Sequence, residues 1–121
     1  MKKHAAEALV VTCIDFRIQE YINNWISENF QPKTFDRVAI AGGVKNLDFI
    51  LGQVNVAVRL HHINEVVLIS HEDCGAYGTE STHEKHSKDL RNTVLKVKEM
   101  VPNLEVECYY LHLNGTFEKI N

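Results

Sequence analysis

Prolines are scarce in this chain: Pro32 and Pro102 are the only two. Each follows a segment with helical periodicity and reads as a helix stop. An excess of basic charge is missing, with 13 Lys and Arg against 16 Asp and Glu and a formal charge of -3. That balance argues against nucleic acid as a partner. No apolar run approaches the ~20 residues that span a bilayer, so no membrane partner is expected. Cysteine is limited to Cys13, Cys74 and Cys108. An odd count argues against a disulfide framework. There is no Cys-x-x-Cys, which weakens a thiol redox role. There is no G-x-G-x-x-G or G-x-x-x-x-G-K-[ST] either, so the usual nucleotide fingerprints are absent. The start, Met1-Lys2-Lys3-His4, is basic, but Glu7, Thr12, Asp15 and Arg17 break up the short apolar stretch behind it. That pattern argues against a signal peptide, and the expected location is cytoplasmic.

What remains is an ordinary globular composition, 45% hydrophobic and 24% charged over 121 residues. Residues 1–121 read as one domain. Ala8–Cys13 is a β-branched apolar run, read as a strand buried on both faces. Ile18, Ile22, Trp25, Ile26 and Phe30 mark an amphipathic helix ending before Pro32. Arg37–Ala41 reads as a second strand, stopped by Gly42-Gly43. Leu47 to His61 carries a second helical stripe, and Glu65–Ser70 is a third strand. Ser81 with Glu84 forms a capping box for a third helix striped by Leu90, Val94, Val97 and Val101. Leu104 to Leu113 is a fourth strand. Asn114-Gly115 is a hairpin-type turn into Thr116-Phe117-Glu118, which reads as a short edge strand outside the four. This alternation predicts an α/β domain: a mostly parallel four-stranded sheet flanked by helices.

Reactive residues gather after strands one and three. The first strand runs into Cys13-Ile14-Asp15-Phe16-Arg17 and the third into His71-Glu72-Asp73-Cys74-Gly75. A parallel sheet places both on one edge, where ligands of open α/β sheets bind. If those strands are neighbours, Cys13, His71 and Cys74 converge. Two thiolates and an imidazole suit zinc with one position left open. Taken one at a time, these fragments read more simply: a packed strand-end cysteine, or a surface Asp15–Arg17 ion pair worth little. Cys108, inside a strand-like run, reads as core.

The paired motifs resemble those of the β-class carbonic anhydrases, from about residue 8 to the end of the chain, and the Ala41-Gly42-Gly43 segment matches as well. The resemblance implies a β-carbonic-anhydrase-like sheet, for which the order 2-1-3-4 is expected. It implies Zn2+ held by Cys13, His71 and Cys74 and a catalytic Asp15–Arg17 dyad. The activity implied is reversible hydration of carbon dioxide to bicarbonate by zinc-bound hydroxide, in a homodimer or larger assembly. Gly42, Gly43 and Gly75 offer backbone groups that could hold bicarbonate, against the simpler reading of each as part of a tight turn. His83 and His86 offer a proton relay, against the simpler reading of solvated helix-start histidines. Several positions depart from the family. The first strand begins near residue 8, where the family carries N-terminal helices. Ala39-Ile40 stand where it has Arg-Asn, residues 1–12 contain no glutamine, and Ile14 and Phe16 replace small residues. Two rival readings follow. One keeps the zinc for carbonyl sulfide or carbon disulfide hydrolysis, or for a closed site with Asp15 as fourth ligand. The other is a metal-free small-molecule-binding module.

Overall fold

The computed structural model describes residues 4–121, so the basic start at Met1–Lys3 lies outside it. The strands are β1 (Ala8–Thr12), β2 (Phe35–Ala39), β3 (Glu65–His71), β4 (Glu105–Leu111) and β5 (Phe117–Ile120). The helices are α1 (Gln19–Asn29), α2 (Leu47–His61) and α3 (His83–Met100), with 3-10 turns at Gly43–Lys45 and Gly78–Glu80. The sheet order is β2-β1-β3-β4-β5. The first four strands are parallel, and β5 returns antiparallel along β4. The expected order 2-1-3-4 is therefore found, but the sheet has five strands rather than four. The segment after Asn114-Gly115 is long enough to pair Phe117 with Leu111 through Ile120 with Cys108.

β1 and β3 are the central strands, and burial explains their continuous apolar runs: Ala8 to Thr12 and Val66 to His71 are all buried. Alternation splits their side chains between two cores. Leu9, Val11, Val66 and Leu68 face α2 and α3, meeting Ile50, Val54, Leu90 and Val97. Ala8, Val10, Val67 and Ile69 face the opposite side, where α1 contributes Ile22 and Ile26 beside Ile18 and Phe30. α1 has no side-chain cap at its start. Its position is set instead by apolar burial, worth about 1.5–3 kcal/mol for each fully buried isoleucine. Trp25 extends this face, stacking on Phe117 at 5.7 Å and meeting Tyr109 edge-on at 5.3 Å.

Two local expectations shift. β2 lies two residues before the expected Arg37–Ala41, because its register with β1 starts at Ala8–Phe35. The apolar triplet Val38-Ala39-Ile40 marks the strand's end, and the chain leaves it through Gly42 at φ +80°. The capping box does not form. Thr82 caps α3, its hydroxyl accepting the Lys85 N–H at 3.1 Å. Ser81 is turned toward Cys74 instead.

Gly115 closes the β4–β5 turn at φ +94°, and a Cβ there would lie 2.7 Å from the Tyr21 ring. Gly115→Ala should therefore cost about 1–3 kcal/mol from backbone strain, with the ring clash added. Urea denaturation tests this. In a Tyr21→Ala background the ring contact is removed and the substitution should cost less.

Candidate metal centre

The reading of the two strand ends as neighbours holds. β1 and β3 pair in parallel, Val11 opposite Leu68, so Cys13 and His71 leave the same edge side by side. Strand order reverses here, with β2 on one side of β1 and β3 on the other. Cys74 follows three residues later in a tight turn. Glu72 N–H bonds to Leu111 O at 2.9 Å, Asp73 takes φ +54°, and Tyr77 N–H bonds to Cys74 O at 3.1 Å.

The ligand atoms of Cys13, His71 and Cys74 all lie within 4.8 Å of one another, and all three residues are buried. The two sulfurs are 3.9 Å apart. Tetrahedral zinc with Zn–S bonds of about 2.3 Å would separate them by about 3.8 Å. His71 donates its Nδ1–H to Glu72 O at 2.8 Å, which fixes the tautomer and leaves Nε2 as an acceptor. That Nε2 is buried with no hydrogen-bond partner, which normally carries a penalty. The donor set, spacing and orphaned nitrogen all fit zinc. Burial opposes ionisation of the Cys13 thiol, but the neighbouring His71 and the Gly42 N–H, 3.3 Å from its sulfur, outweigh it. The thiol comes down from 9.0 to about 7, toward the thiolate that binds metal. Cys108 is buried elsewhere, pushed up to about 12 by burial, and belongs to the core.

Asp15 and Arg17 form a fork. Arg17 Nη2 and Nε donate to Asp15 Oδ2 and Oδ1 at 2.7 and 3.1 Å, and the Arg17 backbone N–H reaches Oδ1 at 2.8 Å. The guanidinium bonds bring the Asp15 carboxyl from 3.8 down to about 2. Asp15 Oδ2 still lies 3.9 Å from His71 Nε2, beside the metal ligands but turned to the arginine. Arg17 in turn donates to the carbonyl of Asp73 at 2.8 Å and to its carboxylate at 3.1 Å. An open depression of about 580 Å³ at the mouth is lined by Ile14, Asp15, Phe16, Arg17, Asp73 and Gly75.

Three other residues support the site and carry no distinguishing sequence signal. Gln19 donates its amide to the carbonyls of Asp15 (2.8 Å) and Cys13 (3.2 Å), pinning the first loop. Asp73 occupies an unspecified position of His-x-x-Cys. Lys45 donates to Ala76 O at 2.6 Å, joining the loops after β2 and β3.

The expected glycines divide. Gly42 directs its N–H at the Cys13 sulfur, Gly43 packs against the Thr12 backbone, and Gly75 is exposed at the mouth. His83 is exposed and bonds Glu118 at 2.8 Å. His86 is not solvated: it is 1% exposed, and burial brings it down to about 4.

Comparison with known proteins agrees with this geometry. Residues 3–121 match the protein-family profile described as "Putative carbonic anhydrase". An uncharacterized protein of Rickettsia bellii (strain RML369-C) is 25% identical over 134 residues, covering 95% of this chain and 82% of that protein. The crystal structure of a Trichomonas vaginalis β-carbonic anhydrase superposes with a TM-score of 0.72 at 18% identity, over 99% of this chain and 86% of that one. A carbonic anhydrase from Streptococcus mutans gives 0.71 at 16% identity, over 98% and 84%. At these identities the two structures share the fold.

The site predicts one zinc per chain. Cys74→Ser should abolish metal retention and lower stability, since metal-binding free energy is coupled to folding. Cys108→Ser should leave zinc content unchanged. Elemental analysis of protein purified without chelator checks both.

Proposed function

The chain belongs to the "Putative carbonic anhydrase" family, and from that premise we propose that it is a zinc lyase catalysing the reversible hydration of carbon dioxide to bicarbonate. One observation carries the reading: a buried Cys13–His71–Cys74 cluster with an ionised carboxylate held beside it by an arginine. When bound there, zinc supplies water whose pKa falls from about 15.7 to about 7, a source of hydroxide at neutral pH.

The other roles fall to this chain's own residues. Asp15 would accept a hydrogen bond from hydroxide held at the open position and so orient it toward carbon dioxide. Arg17 keeps Asp15 charged and fixed by a two-point, charge-assisted contact. Because the Asp15 carboxyl is depressed from 3.8 to about 2, the dyad is complete above about pH 4 and is lost only as pH falls through about 2. The pairing of Asp15 with Arg17 favours the open site over the closed one. In this reading Gly75, exposed at the mouth, meets bicarbonate. Gly42 and Gly43 serve the ligand loop, since the Gly42 N–H is engaged by Cys13.

We propose further that residues 1–121 act as one domain and assemble as a homodimer or larger. β2 is an edge strand with half-exposed side chains. Phe16, Phe49 and Leu60 are exposed apolar side chains. An open edge and apolar surface of this kind call for cover.

Asp15→Asn should keep zinc and lose about 10²–10³ in hydration rate, the usual cost of one positioned polar group. Arg17→Ala frees the carboxylate to turn toward the ligand cluster. Its loss should deepen as pH falls from 8 to 6, because hydroxide grows scarcer while Asp15 stays charged. Stopped-flow hydration assays on zinc-loaded protein measure both. Wild-type rates in the pair would reduce the dyad to a surface ion pair. In sedimentation at tens of micromolar protein, the chain should run as a dimer or larger, and a clean monomer would reject the assembly.

A further inference from the structure

A chain of polar groups outside the ligands lies behind Cys74. The Cys74 N–H donates to the Ser81 hydroxyl at 2.8 Å, and that oxygen lies 2.9 Å from His86 Nε2. His86 is 1% exposed, in the first turn of α3, held between the rings of Tyr77 (4.1 Å) and Tyr110 (5.7 Å). Its Nδ1 is buried with no hydrogen-bond partner.

A histidine is a poor choice for such a place on stability grounds alone. A leucine would fill the space and leave no nitrogen unpaired, whereas the imidazole is buried with half of its polar capacity unmet. Its one polar return is the bond to Ser81. Ser81, too, is used against local preference. It stands one residue before the N-cap of α3, where it would serve as a helix start, and Thr82 does that work instead. Its hydroxyl accepts from the Cys74 amide and is free to donate to the imidazole, so both of its functions are spent on this chain of bonds.

We propose that Ser81 and His86 are positioning residues for the metal centre: His86 fixes the Ser81 hydroxyl, and Ser81 fixes the Cys74 backbone at the angle from which its sulfur reaches the ion. The arrangement couples the packing of α3 to one ligand. Cys13 is set differently, through the Gly42 N–H on its sulfur and the Gln19 amide on its carbonyl. Burial keeps His86 neutral above about pH 4, so one of its ring nitrogens is always an acceptor. Partners that orient a ligand, rather than bind metal themselves, typically change metal affinity by about 10–100-fold.

The inference rests on Cys13, His71 and Cys74 being the zinc ligands. Its test compares Ser81→Ala, Ser81→Thr and His86→Leu with wild type in three measurements. These are zinc release to a chelator, the thiolate-to-cobalt charge-transfer band of the cobalt(II)-loaded protein, and urea stability of the metal-free chain. Ser81→Ala should release zinc about 10–100-fold faster and shift the cobalt band. Its metal-free stability should change little, and Ser81→Thr should restore both metal readouts. His86→Leu should shift the band in the same direction with a folded core, and it decides the matter if Ser81→Ala does not fold. Wild-type release and an unmoved band in these variants would overturn the proposal while leaving the site reading intact. So would a loss that merely tracks metal-free stability. A wild type that retains no zinc would overturn both.

Discussion

Two sulfurs 3.9 Å apart and an imidazole nitrogen without a partner, all on buried residues, form an arrangement that folding alone does not favour. Burial opposes the charge that thiolates carry, and an unpaired nitrogen forfeits its hydration. A cation at their centre reverses each of these costs at once. Much of the surrounding structure reads as the support this cluster requires. The parallel pairing of β1 with β3 puts the ligands side by side, and the loops beyond are held by bonds that cross from one motif to the other.

The cross-links divide the labour of the site. Arg17 grips Asp15 with one edge and the Asp73 carbonyl with another, so the loop after β1 and the turn after β3 move together. The carboxylate contact with Asp73 is exposed and contributes little energy. The bond to the backbone carbonyl, which depends on the left-handed conformation at Asp73, carries the geometry. Gln19 performs the same service from the first turn of α1, whose place is fixed by Ile22 and Ile26 in the core. Apolar burial on one face of the sheet is thus converted into the position of a charged group at its edge.

The departures at Ile14 and Phe16 take a definite form in three dimensions. Both side chains are exposed at the mouth, Phe16 by 86%, and they line the depression that leads to Asp15. They shape the entrance of the site, whereas Cys13, His71 and Cys74 are buried behind it. No helix among the described residues is long and apolar enough to cross a membrane.

The alternation of strands and helices, the ligand trio and the Asp15–Arg17 pair were legible in the chain itself. Periodicity and residue chemistry are local properties: Ala8–Thr12 is continuously apolar whatever it packs against, and Cys13 and Cys74 are soft donors wherever they lie. The fifth strand was legible as a hairpin turn and a short edge strand at Thr116–Glu118, but its full extent and its place in the sheet were not, because an edge strand of four residues carries almost no periodic signal. Ser81 satisfied every local rule for a helix cap. Only the tertiary approach of the Cys74 turn to the start of α3 gave its hydroxyl a stronger use. Gln19, Asp73 and His86 likewise carry ordinary side chains at ordinary positions. Gln19 acts through the Cys13 and Asp15 carbonyls, Asp73 through its own carbonyl, which accepts from Arg17 56 residues away, and His86 through the Ser81 hydroxyl, and the meeting of these groups is decided by how strands, loops and helices pack.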